Sequence, residues 1–399
     1  MARLLYIWEL GDNYGHMSCF AAIAETLVHH GHEVYVALQN LSEARKFFHG
    51  TGVHYLQTPL WRGQNKNTGK YIPITYADVI RNYGFTQTDG LATLIQAWQE
   101  LYTLVKPDVA VFNAPPVSLL AAHGLPFKKA IFGSGYCIPP RTTPLPSLRP
   151  WEKIPSSAIE ERERQVLNVA NQALATLNLP ELNSLQDIFQ VDESFLCTFP
   201  EFDHYPQRAN ATYYGSTFTI DKGKKPEWPE GNGKKLFAYL RPSSKFFVPF
   251  IESLRYTDTR LLVTAPGISN AIIERLSAPN ITISTELYHV GEIREQCDAA
   301  ACHAGHATIA AFLLSGIPLI LFPNYLEQFM MARNLLRTGA IVVPKPDIEP
   351  IPYKKMADAV LMQPQFREAA QKLAFKHRDF SQEKQTKAIV AKIEVLMGK

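Results

Sequence analysis

Short apolar runs, each about the length of a β-strand, recur along this chain and alternate with segments of helical periodicity; no other feature restricts the fold as much. Arg3 to Glu9 is the first run, ended by Gly11; a helical pattern through Ala21, Ala22, Ile23, Leu27 and Val28 follows and stops at Gly31, and Glu33 to Leu38 is the next run. These runs are continuously apolar, as in strands buried on both faces of a parallel sheet. Val53 to Leu56, Asp108 to Phe112 and Lys129 to Phe132 continue the series, the last two bracketing a helix-like Val117 to His123. Lys222 to Lys235 is polar, basic and rich in Pro and Gly, the composition of a linker. The alternation then restarts, with strands expected at 236–240, 261–264, 281–284, 299–302, 319–322 and 341–343 and helices near 247–254, 270–276, 308–314 and 329–337. Tyr353 to Lys399 reads as helical, whereas 61–90 and 136–151 fit no regular element. Long loops inside compact domains usually serve function.

At about 150 residues per domain, 399 residues suit two or three domains, and two α/β domains joined by a linker is the economical reading. A net charge of +3 is too near balance for a dedicated nucleic-acid binder. The five cysteines, Cys19, Cys137, Cys197, Cys297 and Cys302, are scattered and form no CxxC pair, which argues against a disulfide framework or a zinc site. No apolar stretch approaches the roughly 20 residues that span a bilayer, and the amino terminus does not have the pattern of a signal peptide. The expected location is the cytoplasm, with peripheral contact to the inner membrane left open.

Two segments at strand-to-helix junctions can carry chemistry. In an open α/β sheet ligands bind beyond the carboxyl ends of strands, and a helix amino terminus there favours negative charge. The first segment is Gly11-Asp12-Asn13-Tyr14-Gly15-His16. It is no dinucleotide fingerprint, because GxGxxG is absent and the second strand ends in Gln39-Asn40. His16 is either a general base, for which imidazole has the suitable pKa, or a local cap of the helix. The second segment is Cys302-His303-Ala304-Gly305-His306-Ala307-Thr308, followed by Gly316-Ile317-Pro318, Pro323 and Glu327-Gln328. A glycine-bearing turn feeding a helix offers backbone N–H groups to a diphosphate. Cys302, His303 and His306 match no zinc spacing and a fourth ligand is not evident, so no metal is expected.

His303-x-Gly305-x-Ala307-Thr308 with Gly316-x-Pro318, Pro323 and Glu327-Gln328 resembles the donor signature of the UDP-glucosyl/glucuronosyltransferase-like superfamily of nucleotide-sugar glycosyltransferases. Gly15-His16 and Gly31-His32-Glu33-Val34 resemble the amino-terminal part of the same proteins, especially the bacterial antibiotic and glycolipid enzymes. The resemblance implies a GT-B fold: two facing Rossmann-like domains with parallel sheets and an interdomain cleft. It implies residues 1–221 as the acceptor-binding domain, 222–235 as the linker, 236–380 as the nucleotide-sugar-binding domain, and 381–399 as a helix crossing back to the first domain. The activity implied is inverting transfer of a hexose-type sugar from a UDP or dTDP donor to the hydroxyl of a small-molecule, lipid-like or glycan acceptor, with no cofactor and no metal.

Residue by residue, the resemblance makes His16 the general base. It puts His303, Gly305, His306, Ala307 and Thr308 on the donor diphosphate, and Glu327 and Gln328 on the sugar hydroxyls. The chain departs from the family at three places. Asn113 stands where an aspartate commonly orients the base histidine, leaving Asp12 or Glu9 to substitute or the amide to act alone. Ala311 replaces a glutamate that binds the ribose, which suits a deoxyribose donor. Arg241-Pro242-Ser243-Ser244 replaces a Gly-Ser pair, with Arg241, Ser243 and Ser244 available to a phosphate. Tyr288-His289 falls where the family stacks the base. The aromatics of the irregular segments, among them Trp61, Tyr71, Tyr76, Tyr83, Phe85, Tyr136 and Trp151, either line an acceptor pocket or pack in the core. A sugar-nucleotide 2-epimerase on the same fold and a catalytically inactive nucleotide-sugar-binding protein are the competing readings.

Overall fold

The first apolar run forms strand β1 (Arg3–Trp8), in which Leu4 to Trp8 are fully buried. The computed structural model to which it belongs describes residues 1–11, 15–61, 72–206, 208–218, 223–345 and 348–398. Burial on both faces requires a cover on each side, and the parity of the run divides it. Leu5 and Ile7 pack with Trp98, Val117 and Ala170 of the helices Thr88–Val105, Pro116–Ala121 and Ser156–Thr176. Leu4, Tyr6 and Trp8 pack with Met17, Phe20 and Leu27 of the helix Gly15–His29 and with Ile389 and Ile393 of the helix Gln382–Leu396. Each such side chain contributes about 1.5–3 kcal/mol of transfer free energy.

The remaining strands of this sheet are β2 (Glu33–Leu38), β3 (His54–Gln57), β4 (Val109–Asn113), β5 (Lys128–Gly133) and β6 (Glu193–Leu196). They run parallel in the order β3-β2-β1-β4-β5-β6. A second parallel sheet contains β7 (Lys235–Tyr239), β8 (Arg260–Thr264), β9 (Ile281–Ser284), β10 (Ala299–Cys302), β11 (Leu319–Leu321) and β12 (Ile341–Val342). Its order is β12-β11-β10-β7-β8-β9. Each sheet is therefore doubly wound, the chain moving outward one way from its first strand and then the other way from its fourth. The helix Gly15–His29 stops where Gly31 takes a φ of 82°, letting His32 N–H reach the Leu27 carbonyl at 3.0 Å and Gly31 N–H the Val28 carbonyl at 2.9 Å.

The chain divides into two compact units, Met1–Gly215 with Ser381–Lys399, and Ser216–Phe380. The stretch read as a linker belongs to the second unit. Lys224 N–H donates to Leu287 O at 2.9 Å and Lys224 O accepts from His289 N–H at 2.8 Å, so its backbone is tied to the loop after β9. The last helix belongs to the first unit, where Gln385 Nε2 donates to Gly215 O at 2.6 Å and Glu394 Oε1 lies 2.8 Å from His30 Nδ1.

Of the two segments expected to be irregular, 61–90 contains helices. Tyr76–Arg81 forms because Asp78 Oδ2 accepts from Ile74 N–H at 2.8 Å and the helix buries Tyr76 and Ile80. Thr88–Val105 also begins inside 61–90; residues 62–71, Tyr71 among them, lie outside the described residues. Ser156–Thr176 is a long helix hidden behind a charged composition, since only the stripe Ile159, Glu163, Val166, Ala170, Ala173 and Leu174 is buried. The proline-rich stretch 138–155 contains no helix or strand. All five cysteines are free, and no described helix is long and apolar enough to cross a membrane.

Ile393→Ala is expected to cost about 2–5 kcal/mol, because the cavity opens between the last helix and the first. Urea unfolding checks this: an unchanged midpoint would mean that the last helix is not docked on the first unit.

Candidate functional site

In each unit the winding reverses between the first and fourth strands, and the loops leaving those two strands diverge. The register sets Trp8 opposite Asn113 in one sheet and Tyr239 opposite Cys302 in the other. Both segments singled out in the sequence lie at these two points.

In the first unit His16 occupies the second position of the helix after β1. Its Nδ1 is 3.0 Å from Asn113 Oδ1 at the end of β4. Asn113 Nδ2 donates to Tyr6 Oη at 2.8 Å, and the Tyr6 hydroxyl donates to the His16 carbonyl at 2.7 Å. The imidazole stacks on Trp8, with ring centroids 5.3 Å apart and planes 13° from parallel. Among the described residues Nε2 has no hydrogen-bond partner. Burial lowers the His16 pKa below its ordinary value, and the bond to Asn113 opposes that only in part, so the neutral form of the ring is favoured. Gly11, with a φ of 105°, lies beside the imidazole, and a Cβ there would stand 2.6 Å from Nε2.

Of the two carboxylates considered as substitutes for an aspartate, Glu9 faces elsewhere. Its oxygens accept from Val117 N–H at 3.0 Å, Ser118 N–H at 2.8 Å and the Ser118 hydroxyl at 2.7 Å, while burial pushes its carboxyl up to about 7. It closes the start of the helix Pro116–Ala121 and is no partner of His16. Asp12 lies outside the described residues.

In the second unit β10 ends at Cys302, a buried residue whose thiol burial pushes up to about 12. His303 follows, and both its nitrogens are engaged. Nε2 accepts from the backbone N–H of Arg241 at 2.7 Å, and Nδ1 lies 2.9 Å from the Phe322 carbonyl, so Nδ1 carries the proton. As placed, the ring has no N–H to give a phosphate, contrary to the sequence expectation; it ties the loops after β7, β10 and β11 together. Gly305 precedes the helix His306–Leu313, and among the described residues nothing lies within 4 Å of where its Cβ would stand. Thr308 is half-buried and Ala307 exposed in the first turn, while His306 Nε2 lies 3.4 Å from Ser216 Oγ.

Arg241 Nη1 donates to Tyr325 Oη at 3.1 Å, and Ser244 Oγ donates to Asn324 Oδ1 at 3.0 Å, so the loop after β7 is fastened to the one after β11; Ser243 is exposed. Glu327 and Gln328 lie in the first turn of the helix Leu326–Leu335, where burial pushes the Glu327 carboxyl up to about 7. Gln328 Oε1 accepts from Asn324 N–H at 2.9 Å. Ala311 is buried, and its carbonyl accepts from Arg294 and Ser315.

Two expectations fail. Tyr288 does not present a face for stacking: it is buried, and Lys224 Nζ stands 5.0 Å from its ring centroid. His289 caps the helix Val290–Gln296 through Nδ1, which accepts from Glu292 N–H at 3.2 Å. Tyr76 and Phe85 are likewise core residues. Tyr6, Asn324 and Tyr325 went unnoticed in the sequence. The one available signal for Tyr6 was its parity with Trp8 on the face that meets the first helix. Among the described residues no group of three or more His, Cys, Asp or Glu is arranged to hold a metal ion.

No protein-family model and no curated protein matches the sequence. In structure the chain is similar to CalG4, the calicheamicin glycosyltransferase, with a TM-score of 0.72 and 14% identity over 100% of this chain and 98% of that one. It is similar to the glycosyltransferase VinC in complex with dTDP, at a TM-score of 0.66 and 15% identity over 99% and 98%. A third is the glycosyltransferase SsfS6 of Streptomyces sp. SF2575, complexed with thymidine diphosphate, at 0.61 and 17% over 99% of both chains. At such identities the likeness is one of fold: this chain has the mixed α/β two-domain architecture called GT-B, each domain Rossmann-like.

Gly11→Ala is expected to displace the imidazole and to cost about 1–3 kcal/mol, because an L side chain meets both the positive φ and His16 Nε2. The imidazole NMR signals of His16 report it; signals unmoved from the wild type would contradict the placement of Gly11 against the ring.

Proposed function

We propose that the protein is an inverting glycosyltransferase that moves a hexose-type sugar from a nucleoside diphosphate to an acceptor hydroxyl, with His16 as general base. The observation that carries the reading is His16 itself. At a switch point of a fold shared with solved glycosyltransferases, Nδ1 is committed to Asn113, and among the described residues Nε2 has no hydrogen-bond partner. In this reading the first unit holds the acceptor and the second the donor. Nε2 takes the acceptor's hydroxyl proton as the oxygen attacks the anomeric carbon from the face opposite the leaving group. The bond from that carbon to the diphosphate oxygen breaks, its electron pair leaves with the diphosphate, and the configuration inverts.

Charge developing on the diphosphate needs fixed donors. The Ala307 and Thr308 N–H groups in the first turn of the helix His306–Leu313, the Thr308 hydroxyl, Arg241 and Ser243 are suited to supply them without a metal ion. His303 serves in holding Arg241 and its loop, through the bond from the Arg241 N–H. In this reading the Gln328 amide nitrogen and Glu327 meet the sugar hydroxyls, the Gln328 oxygen being used by Asn324. The apolar, buried Ala311 offers nothing to a ribose 2′-hydroxyl, which favours dTDP, the nucleotide bound in VinC and SsfS6.

His16→Ala is expected to lower kcat/KM by about 10²–10⁴ while the thermal stabilisation given by dTDP persists. Full activity in that variant would remove His16 as the base. Because burial holds the His16 pKa below its ordinary value, the wild-type rate is expected to stay level through neutrality and to fall only under about pH 6.5. A half-rate point above that pH would contradict the assignment. In the thermal-shift comparison dTDP is expected to stabilise more than UDP, and equal shifts would refute the reading of Ala311.

A further inference from the structure

We propose that Tyr6 is a positioning residue that sets the tautomer of His16 by fixing which way the Asn113 amide faces. The inference rests on the reading of His16 as the base. A carboxylate has two acceptor oxygens and orients a histidine N–H equally well through either. An amide has one acceptor and one donor end of nearly the same shape, so an asparagine in that place orients the ring correctly only if something chooses between its ends.

Tyr6 makes the choice. Its hydroxyl carries one proton, and it gives that proton to the His16 carbonyl at 2.7 Å, a group that can only accept. At its 2.8 Å contact with Asn113 the hydroxyl must therefore accept, and only the amide nitrogen can donate there. Asn113 Oδ1 is then the end 3.0 Å from His16 Nδ1, which must carry hydrogen, leaving the lone pair on Nε2. With the amide reversed, its NH2 would point at Nδ1, the imidazole proton would move to Nε2, and that atom could no longer take a proton. The Tyr6 hydroxyl cannot step aside. The ring is fully buried in β1, stacked on Phe20 at 3.9 Å and edge-on to Phe132 at 6.2 Å. The bond to the His16 carbonyl also ties this orienting group to the residue it orients.

The test reads the tautomer directly and turnover separately, on the full chain with 15N-labelled histidine. In the wild type His16 is expected as the Nδ1–H form, and the Nε2–H form would overturn the proposal without any variant. Tyr6→Phe is expected to shift His16 toward the Nε2–H form and to lower kcat about tenfold, the scale of one hydrogen bond, with KM unchanged. In an Asn113→Asp background the same change is expected to leave both tautomer and kcat as in Asn113→Asp alone, because either carboxylate oxygen accepts. An unmoved tautomer in Tyr6→Phe, or an equal loss in the Asp background, as a purely structural role would give, would overturn it. A shifted tautomer with undiminished transfer would uphold the orienting role and remove His16 as the base.

Discussion

The pairing of the first strand of each sheet with the fourth is the contact on which the rest depends. β1 lies between β2 and β4, and β7 between β8 and β10. Right-handed crossovers send the connecting helices to opposite faces on the two sides of such a strand, so the loops part there. Register then decides which side chains meet there. Trp8 opposite Asn113 brings the end of β4 beneath the start of the first helix, and Tyr239 opposite Cys302 brings Arg241 onto His303. A shift of one residue in either pair would turn these side chains to the other face of the sheet.

The two reversal points are built alike and use histidine differently. In both, an alanine with a left-handed backbone follows the fourth strand, Ala114 at a φ of 47° and Ala304 at 62°. That conformation costs an L residue roughly 1–2 kcal/mol, so the sharp exit from the strand is maintained against strain in each unit. Burial lowers the pKa of both imidazoles. His16, however, commits one nitrogen and His303 commits two. Among the described residues only the first keeps a ring nitrogen that the protein does not engage.

How much was legible in the sequence follows the same physics. The strands were readable because burial on both faces forces runs such as Leu4 to Trp8 to be apolar throughout. His16 and the 303–308 turn were readable because a strand-to-helix junction is local in sequence. The helix Ser156–Thr176 was obscured because charged residues crowd its positions 160–164 and only one stripe, Glu163 among it, is buried. The role of Tyr288 was misread for a different reason. An aromatic residue after a strand looks the same whether it faces ligand or core, and here the side is set by the pairing of Lys224 with the loop after β9. The part of Tyr6 could not be read at all, since it depends on β1, β4 and the first helix meeting at one hydroxyl.

Asn113 alters the proton affinity of the His16 imidazole in a definite direction. A carboxylate in its place would stabilise the imidazolium, raise the pKa and strengthen the base, while leaving more of it already protonated near neutrality. The amide supplies no charge, so burial prevails and favours the neutral form of the ring. An arrangement of that kind relies on geometry more than on charge. This agrees with a site in which Trp8 stacks on the ring, Gly11 leaves Nε2 clear, and a buried tyrosine decides the direction of the amide.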